Sequence, residues 1–378
     1  MSVQVLNGVA AQWREHVGDD VPMHAGEPWV KATAHRLSSK RLTFLTTDDG
    51  HNGGLQAAVI EDPAADEVIN LYRMLLTEPK VFKFPAAALA PRPGLRAQVA
   101  PIEGWLPNLV VMYPGFDTFV AASGGPGPAL AGSLVDAAVT WAAEHRIKAV
   151  SFPYVRSDSE LPGLLAERGF RAIPLTYRAR MALPVSFEEY LSSLTGKKRL
   201  QVRRDLKNLA EAGVRTERCS VEDVWPDVLA LRCDLVERYG QKADEDVETM
   251  NMRQLFACFG EEQTRLYCSF LDGRVVGFSL YVLWRGTWYG AYTGTYGSLR
   301  TRSVYFDHFV YAPLADATAE GARVLDLGIG AYEAKRLRGC ALTPVDTWVR
   351  ALDPAVERGF DLAIPAMLRE EGWVKAAG

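Results

Sequence analysis

The amino-acid sequence predicts an α/β protein made of two tandem copies of one layered α+β unit, each a mixed, mostly antiparallel sheet flanked by helices. Three observations carry this reading. Arg168–Pro184 (RGFRAIPLTYRARMALP) lies on Arg338–Pro354 (RGCALTPVDTWVRALDP) without gaps, and Arg168/Arg338, Gly169/Gly339, Pro174/Pro344, Arg180/Arg350 and Pro184/Pro354 coincide. Upstream of each copy an Ala-rich helical stretch, Leu134–Glu144 and Phe309–Glu320, leads into a short apolar run, Ala149–Phe152 and Val324–Leu327, as buried strands do. The second half also reads helix, three-strand meander, helix, strand, helix, strand, which is an α+β order. The break between the copies falls near Pro184, giving domains 1–183 and 184–378.

Along the chain, the first copy has a Pro-rich middle, Pro79–Pro107, expected to loop over the surface, and Gly124–Gly127 (GGPG) leads into its Ala-rich helix. After Pro184, Phe187-Glu-Glu-Tyr-Leu reads as a helical turn. Thr195-Gly196 can cap the next helix, Lys197–Ala212, which Gly213 stops. Leu200, Leu206 and Leu209 are expected on its apolar side, while Lys197, Lys198, Arg199, Arg203, Arg204 and Lys207 crowd the rest. Val221–Tyr239 reads as a helix. Strands follow at Arg265–Leu271, Val275–Leu283 and Trp288–Thr295, joined by turns at Asp272-Gly273 and Arg285-Gly286. A strand at Val324–Leu327, a short helix near Glu333–Leu337 and a strand around Trp348–Leu352 complete the unit.

Composition sets the class. The chain has 378 residues, 48% of them hydrophobic, 23% charged, with a net charge of −4, which excludes a disordered or coiled-coil protein. Apolar runs are interrupted before the ~18 residues a spanning helix needs. The first thirty residues lack a basic start and a continuous apolar stretch, so a cytoplasmic location is expected. Five cysteines make no CxxC pair, and no spacing suggests a metal centre.

Tyr190-Leu-Ser-Ser-Leu-Thr-Gly-Lys-Lys-Arg through Arg203-Arg204 and Gly213-Val214 resembles the linker signature of Fem-like peptidoglycan-bridge transferases and their relatives. Phe306-Asp307 to Tyr311, then Asp326-Leu-Gly328, Glu333, Lys335, Arg338-Gly339, Pro344 and Trp348, is similar to the C-terminal pattern of that group. The resemblance implies two tandem folds of the GNAT (N-acetyltransferase) kind. It also implies a chemistry that transfers an acyl or aminoacyl group to an amine, with aminoacyl-tRNA as co-substrate and no tightly bound cofactor. Acyl-CoA is the alternative donor, although no Gln/Arg-x-x-Gly-x-Gly/Ala loop precedes either Ala-rich helix. Gly294-Thr-Tyr-Gly-Ser-Leu-Arg-Thr-Arg offers glycines with Arg300 and Arg302 in its place. A non-catalytic ligand-binding protein of the same fold is a third reading.

Each candidate residue has a functional and an ordinary reading. Asp307 and His308 open the second Ala-rich helix and can take a proton from an attacking amine, but acids also favour a helix start for electrostatic reasons alone. Glu333 and Lys335 sit at a strand-to-helix turn, where Lys335 can stabilise an oxyanion or hold a phosphate; the ordinary alternative is a surface ion pair. Asp326, in a buried strand, either pairs with a cation or faces the cleft. Tyr292 and Tyr305 belong to an aromatic cluster suited to packing or to substrate contact. The six cations of Lys197–Lys207 either solvate a linker helix or bind tRNA phosphates.

Overall fold

The computed structural model of the protein describes residues 2–36, 40–46, 52–65, 68–76, 93–297 and 302–368. In chain order the strands are β1 (Val3–Asn7), β2 (Arg41–Thr46), β3 (Gly54–Ile60), β4 (Asn108–Val111), β5 (Ala149–Arg156), β6 (Arg171–Ala182), β7 (Arg215–Cys219), β8 (Thr264–Leu271), β9 (Arg274–Trp284), β10 (Thr287–Thr295), β11 (Val324–Ile329) and β12 (Ala341–Ala351). The chain forms two compact units, Met1–Thr176 with Pro344–Gly378, and Tyr177–Thr343. The sequence reading divides the chain at residue 183. The units divide instead inside β6 and β12, because each of these strands starts in one unit and finishes in the other.

The first unit orders its strands β1-β2-β3-β4-β5-β12, antiparallel apart from the parallel pair β4–β5. In the second unit the order is β7-β8-β9-β10-β11-β6, again with a single parallel pair, β10–β11. The duplication therefore extends to sheet order, and each unit takes its last strand from the other copy of the repeat. Both are mixed, mostly antiparallel sheets flanked by helices.

One face of the first sheet packs Leu109, Val150 and Phe152 against Leu130, Leu134, Val135 and Ala138 of the helix Pro128–Glu144. In the second unit Tyr281, Trp288, Phe309, Leu314 and Leu325 form the matching core. Each fully buried side chain of this size contributes about 1.5–3 kcal/mol. The two hairpin turns, Asp272-Gly273 and Arg285-Gly286, have φ of 50° and 74°, and 50° and 75°, the positive values that primed turns require.

Three local details differ from expectation. The basic helix spans Gly196–Glu211, and Thr195 makes no side-chain cap. Its inward stripe is Val202, Asp205 and Leu209, spaced three and four residues apart, which turns Leu200 outward at 63% exposure. A helix at Glu245–Phe259, unread in the sequence, starts where the Asp244 carboxylate accepts from the Asp246 and Val247 amides at 3.1 Å. Among the described residues no helix is long and apolar enough to cross a membrane. Replacing the Asp244 cap in D244A should cost about 1 kcal/mol in a urea unfolding titration, with unchanged slope.

Candidate functional site

The second unit opens where its parallel strands part. β10 and β11 pair only at Thr287↔Val324, Trp288↔Leu325 and Tyr289↔Asp326, although β10 runs on to Thr295 and β11 to Ile329. Register shifts at Gly290/Tyr292 against β9 and at Asp326/Ile329 against β6 accompany the divergence. Phe309 lies over the gap. A Cβ at Gly290 would stand 2.9 Å from its ring, so bare backbone is what lets the ring approach.

Phe309 owes its place to a wide turn. The helical segment begins at Arg302, passes through a π turn at Asp307–Tyr311 and resumes at Ala312–Ala319. Pro313 has no N–H and cannot donate to the Phe309 carbonyl four residues back. The Tyr281 hydroxyl donates to that carbonyl instead, at 2.5 Å, and the Ser279 hydroxyl donates to the His308 carbonyl. Two strand side chains thus satisfy what the proline frees.

Lys335 completes the gap. Its side chain is 1% exposed, and Nζ donates to the carbonyls of Leu327 at 2.7 Å and Ile329 at 2.9 Å, on the stretch of β11 that has left β10. The ammonium lies 5.5 Å from the Phe309 ring centroid, and burial lowers its pKa to about 8. Beside it, buried Asp326 accepts from Arg178 Nε at 2.8 Å and from the Gly328 amide at 2.9 Å, with Arg180 Nε at 3.4 Å. The pairing alternative therefore describes Asp326.

The other predicted residues spread out. Asp307 lies inside the helical segment rather than at its start. Its carboxylate accepts from Thr216 on β7 at 2.6 Å, and burial raises its pKa against that bond. β7 and β11 are four strand steps apart in the sheet order, so Asp307 and Lys335 are anchored to different strands. Glu333 is exposed and pairs with Arg336 at 2.7 Å. Tyr292 faces the helix Val221–Arg238, where Arg232 lies 5.1 Å from its ring centroid. Tyr305 packs its ring 5.2 Å from Phe309 and 5.9 Å from His308. Arg300 lies outside the described residues, and of Arg302 only the backbone is described.

His308 is fully buried. Nε2 lies 2.9 Å from the Thr295 hydroxyl, Nδ1 has no hydrogen-bond partner, and burial pushes the pKa down to about 3. On the basic helix Lys197, Arg203, Arg204 and Lys207 are exposed. Lys207 pairs loosely with Glu211 at 3.6 Å, and Arg199 donates to the carbonyls of Ser192 and Leu194. The structure thus brings Lys335 and Tyr305 together around Phe309, which lies against Gly290, while the His308 ring packs against Tyr305 and Gly277; sequence reasoning did not single out Phe309 or Gly290. Pro313 within a helical stretch and a glycine within a strand were the available signals. Among the described residues no group of three or more His, Cys, Asp or Glu could hold a metal ion.

Two outcomes follow from this packing. G290A should lose about 1–3 kcal/mol, because the added methyl meets an aromatic ring in a close-packed core. For His308 the folded pKa lies below the unfolded one, so between pH 6.5 and about 3 the unfolded chain binds the extra proton and stability falls as pH falls. In H308Q the decline measured by denaturant midpoint over pH 6.5–4 should be shallower; an identical slope would remove His308 as its source.

Residues 196–336 match the family model described as an acetyltransferase (GNAT) domain. No curated protein matches the chain. Among solved structures the chain is similar to FemX (13% identity, TM-score 0.59, covering 95% of this chain and 99% of that one). It is also similar to the C-terminal domain (DUF2156) of a putative lysylphosphatidylglycerol synthetase from Agrobacterium fabrum (11%, 0.55, 94% and 95%). A third likeness is to a tandem GNAT protein from the clavulanic acid biosynthesis pathway (12%, 0.51, 93% and 99%). At these identities the likeness is one of fold. Together with the domain match over residues 196–336 and the doubled sheet order, it gives this chain a tandem GNAT fold whose second half carries the acetyltransferase (GNAT) domain.

Proposed function

We propose that the chain forms an amide by moving an aminoacyl group from aminoacyl-tRNA to a primary amine, on a small metabolite or a peptidoglycan-like acceptor. The observation that carries this reading is the opening between β10 and β11 beside a buried lysine, in the same unit as a helix whose outward cations lack carboxylate partners of comparable number. The amine nitrogen attacks the ester carbonyl, a C–N bond forms, and the bond to the terminal ribose oxygen breaks. The amine's proton ends on that oxygen.

Lys335 is the residue for the developing oxyanion. Two of its three N–H groups are held by Leu327 and Ile329, which fixes the direction of the third. His308 is a poor proton acceptor at neutral pH, because a base works best with a pKa near the operating pH. Its role is structural. Asp307 and Glu333 lie away from the opening and take no part in this scheme. The phosphates of the donor meet Lys197, Lys198, Arg199, Arg203, Arg204 and Lys207. The first unit takes no part in the chemistry of this scheme. Acyl transfer from acyl-CoA is the second reading, favoured by the acetyltransferase description of residues 196–336.

Labelled aminoacyl-tRNA incubated with a panel of primary amines separates the readings. Label should pass to an amine, and ribonuclease treatment beforehand should abolish the transfer. Thiol release from acetyl-CoA would favour the second reading, and ligand retention with neither signal would indicate a binding protein. K197A/R203A/R204A should lower the slope of log affinity for tRNA against log salt by roughly 2–3. K335M should retain tRNA and lose about 10²–10³ in kcat. Since the ammonium form is the active one, kcat should fall as pH rises through about 8.

A further inference from the structure

The repeated arginines at positions 168 and 338 have different partners. In the first unit Arg168 donates twice to Asp136 of the Ala-rich helix, at 2.8 and 3.0 Å. In the second unit Arg338 is buried, with its guanidinium 3.3 Å from the Phe306 ring centroid. It donates through Nε to the Tyr311 oxygen at 3.0 Å, through Nη1 to the Ala334 carbonyl at 2.9 Å, and through Nη2 to Asp205 at 2.5 Å. Asp205 is the one acid among the cations of the basic helix between Lys197 and Lys207, and it is turned inward.

Asp205 gathers donors from its own helix, from the helical segment that carries Phe309 and from Arg338. The Tyr311 hydroxyl donates to it at 2.6 Å, Gln201 Nε2 at 2.9 Å and the Ser303 hydroxyl at 3.4 Å. Tyr311 closes the π turn that carries Phe309, and Ser303 starts the same helical segment. Tyr190 adds a further tie by donating to the Arg338 carbonyl at 2.9 Å. A buried ion pair of this kind contributes little net stability relative to apolar residues, yet breaking one side of it is costly. Its effect is to fix one element against another.

We propose that Asp205 is a positioning residue for acyl transfer, locking the π turn Asp307–Tyr311 to the helix whose outer face holds the donor's phosphates. Seating the donor on Lys197, Arg203 and Arg204 then seats Tyr311, and with it Phe309 at the strand opening. The proposal rests on the aminoacyl-tRNA reading above. Lys197 and Arg204 are eight and one residues from Asp205 on one rigid helix, so the link needs no moving part beyond the helix itself.

Bulk uncharged tRNA serves as the probe, with filter retention and hydrogen exchange of the 308–312 amides as readouts, followed by kcat and KM with aminoacyl-tRNA and the amine panel. In the wild type, tRNA should slow exchange at 308–312. D205N should still retain tRNA, lose that protection, and drop about 10²-fold in kcat with KM for aminoacyl-tRNA little changed. Y311F, which keeps the Asp205–Arg338 pair, decides the matter if D205N does not fold: it should show the same split. No tRNA retention by the wild type overturns the donor reading and this proposal together. Retention with no protection in the wild type, or protection and kcat unchanged in Y311F, overturns the positioning role alone.

Discussion

Two parallel strands part after three paired residues, and beyond that point a single buried ammonium ties the backbone of β11 to the short helix that follows it. The Lys335 ammonium takes the carbonyls of Leu327 and Ile329. Burying such a charge is unfavourable unless its donors are met, which is what the two carbonyls do. The lysine thus stands, with its charge, next to the place where the strands part.

The other side of the gap is shaped by a missing donor. Pro313 deprives the preceding turn of one hydrogen bond, the turn widens, and Ser279 and Tyr281 on β9 reach up to the exposed carbonyls. Helix and sheet are thereby stitched by hydrogen bonds as well as by packing. Phe309 is delivered to Gly290 with the Tyr305 ring packed on it, while the His308 ring lies against Gly277. Asp326, with Arg178, Arg180 and the Gly328 amide, anchors β11 on the side facing β6.

Much of the fold was legible because its signals are local. Periodicity placed the meander of β8, β9 and β10 to within a residue or two, and the positive-φ turns matched their Asp-Gly and Arg-Gly dipeptides. The repeat announced the duplication. It could not reveal that the repeated segment is the strand each unit lends to the other, because identity along a chain does not say which sheet a strand joins. The site was less legible for the same reason. A motif pointed to Lys335 but could not show that it is buried, and Asp307 was expected at a helix start because the segment from Arg302 lacks a strong apolar period. Glu333 and Lys335 are two residues apart in sequence but face opposite environments, one exposed and one buried, as neighbours on a short helix do.

The exchange of β6 and β12 has a consequence for biosynthesis. A polypeptide emerges from the ribosome N-terminus first, and domains that are contiguous can fold as they emerge. Here the first unit lacks its final strand until residues 344–351 have been made, after the whole of the second unit. The β5 edge must therefore wait, unpaired, while the entire second unit is synthesised, and an exposed edge strand invites pairing with other chains. Nascent chains of this architecture have reason to depend on chaperone protection of β5 in a way that a simple head-to-tail duplication would not.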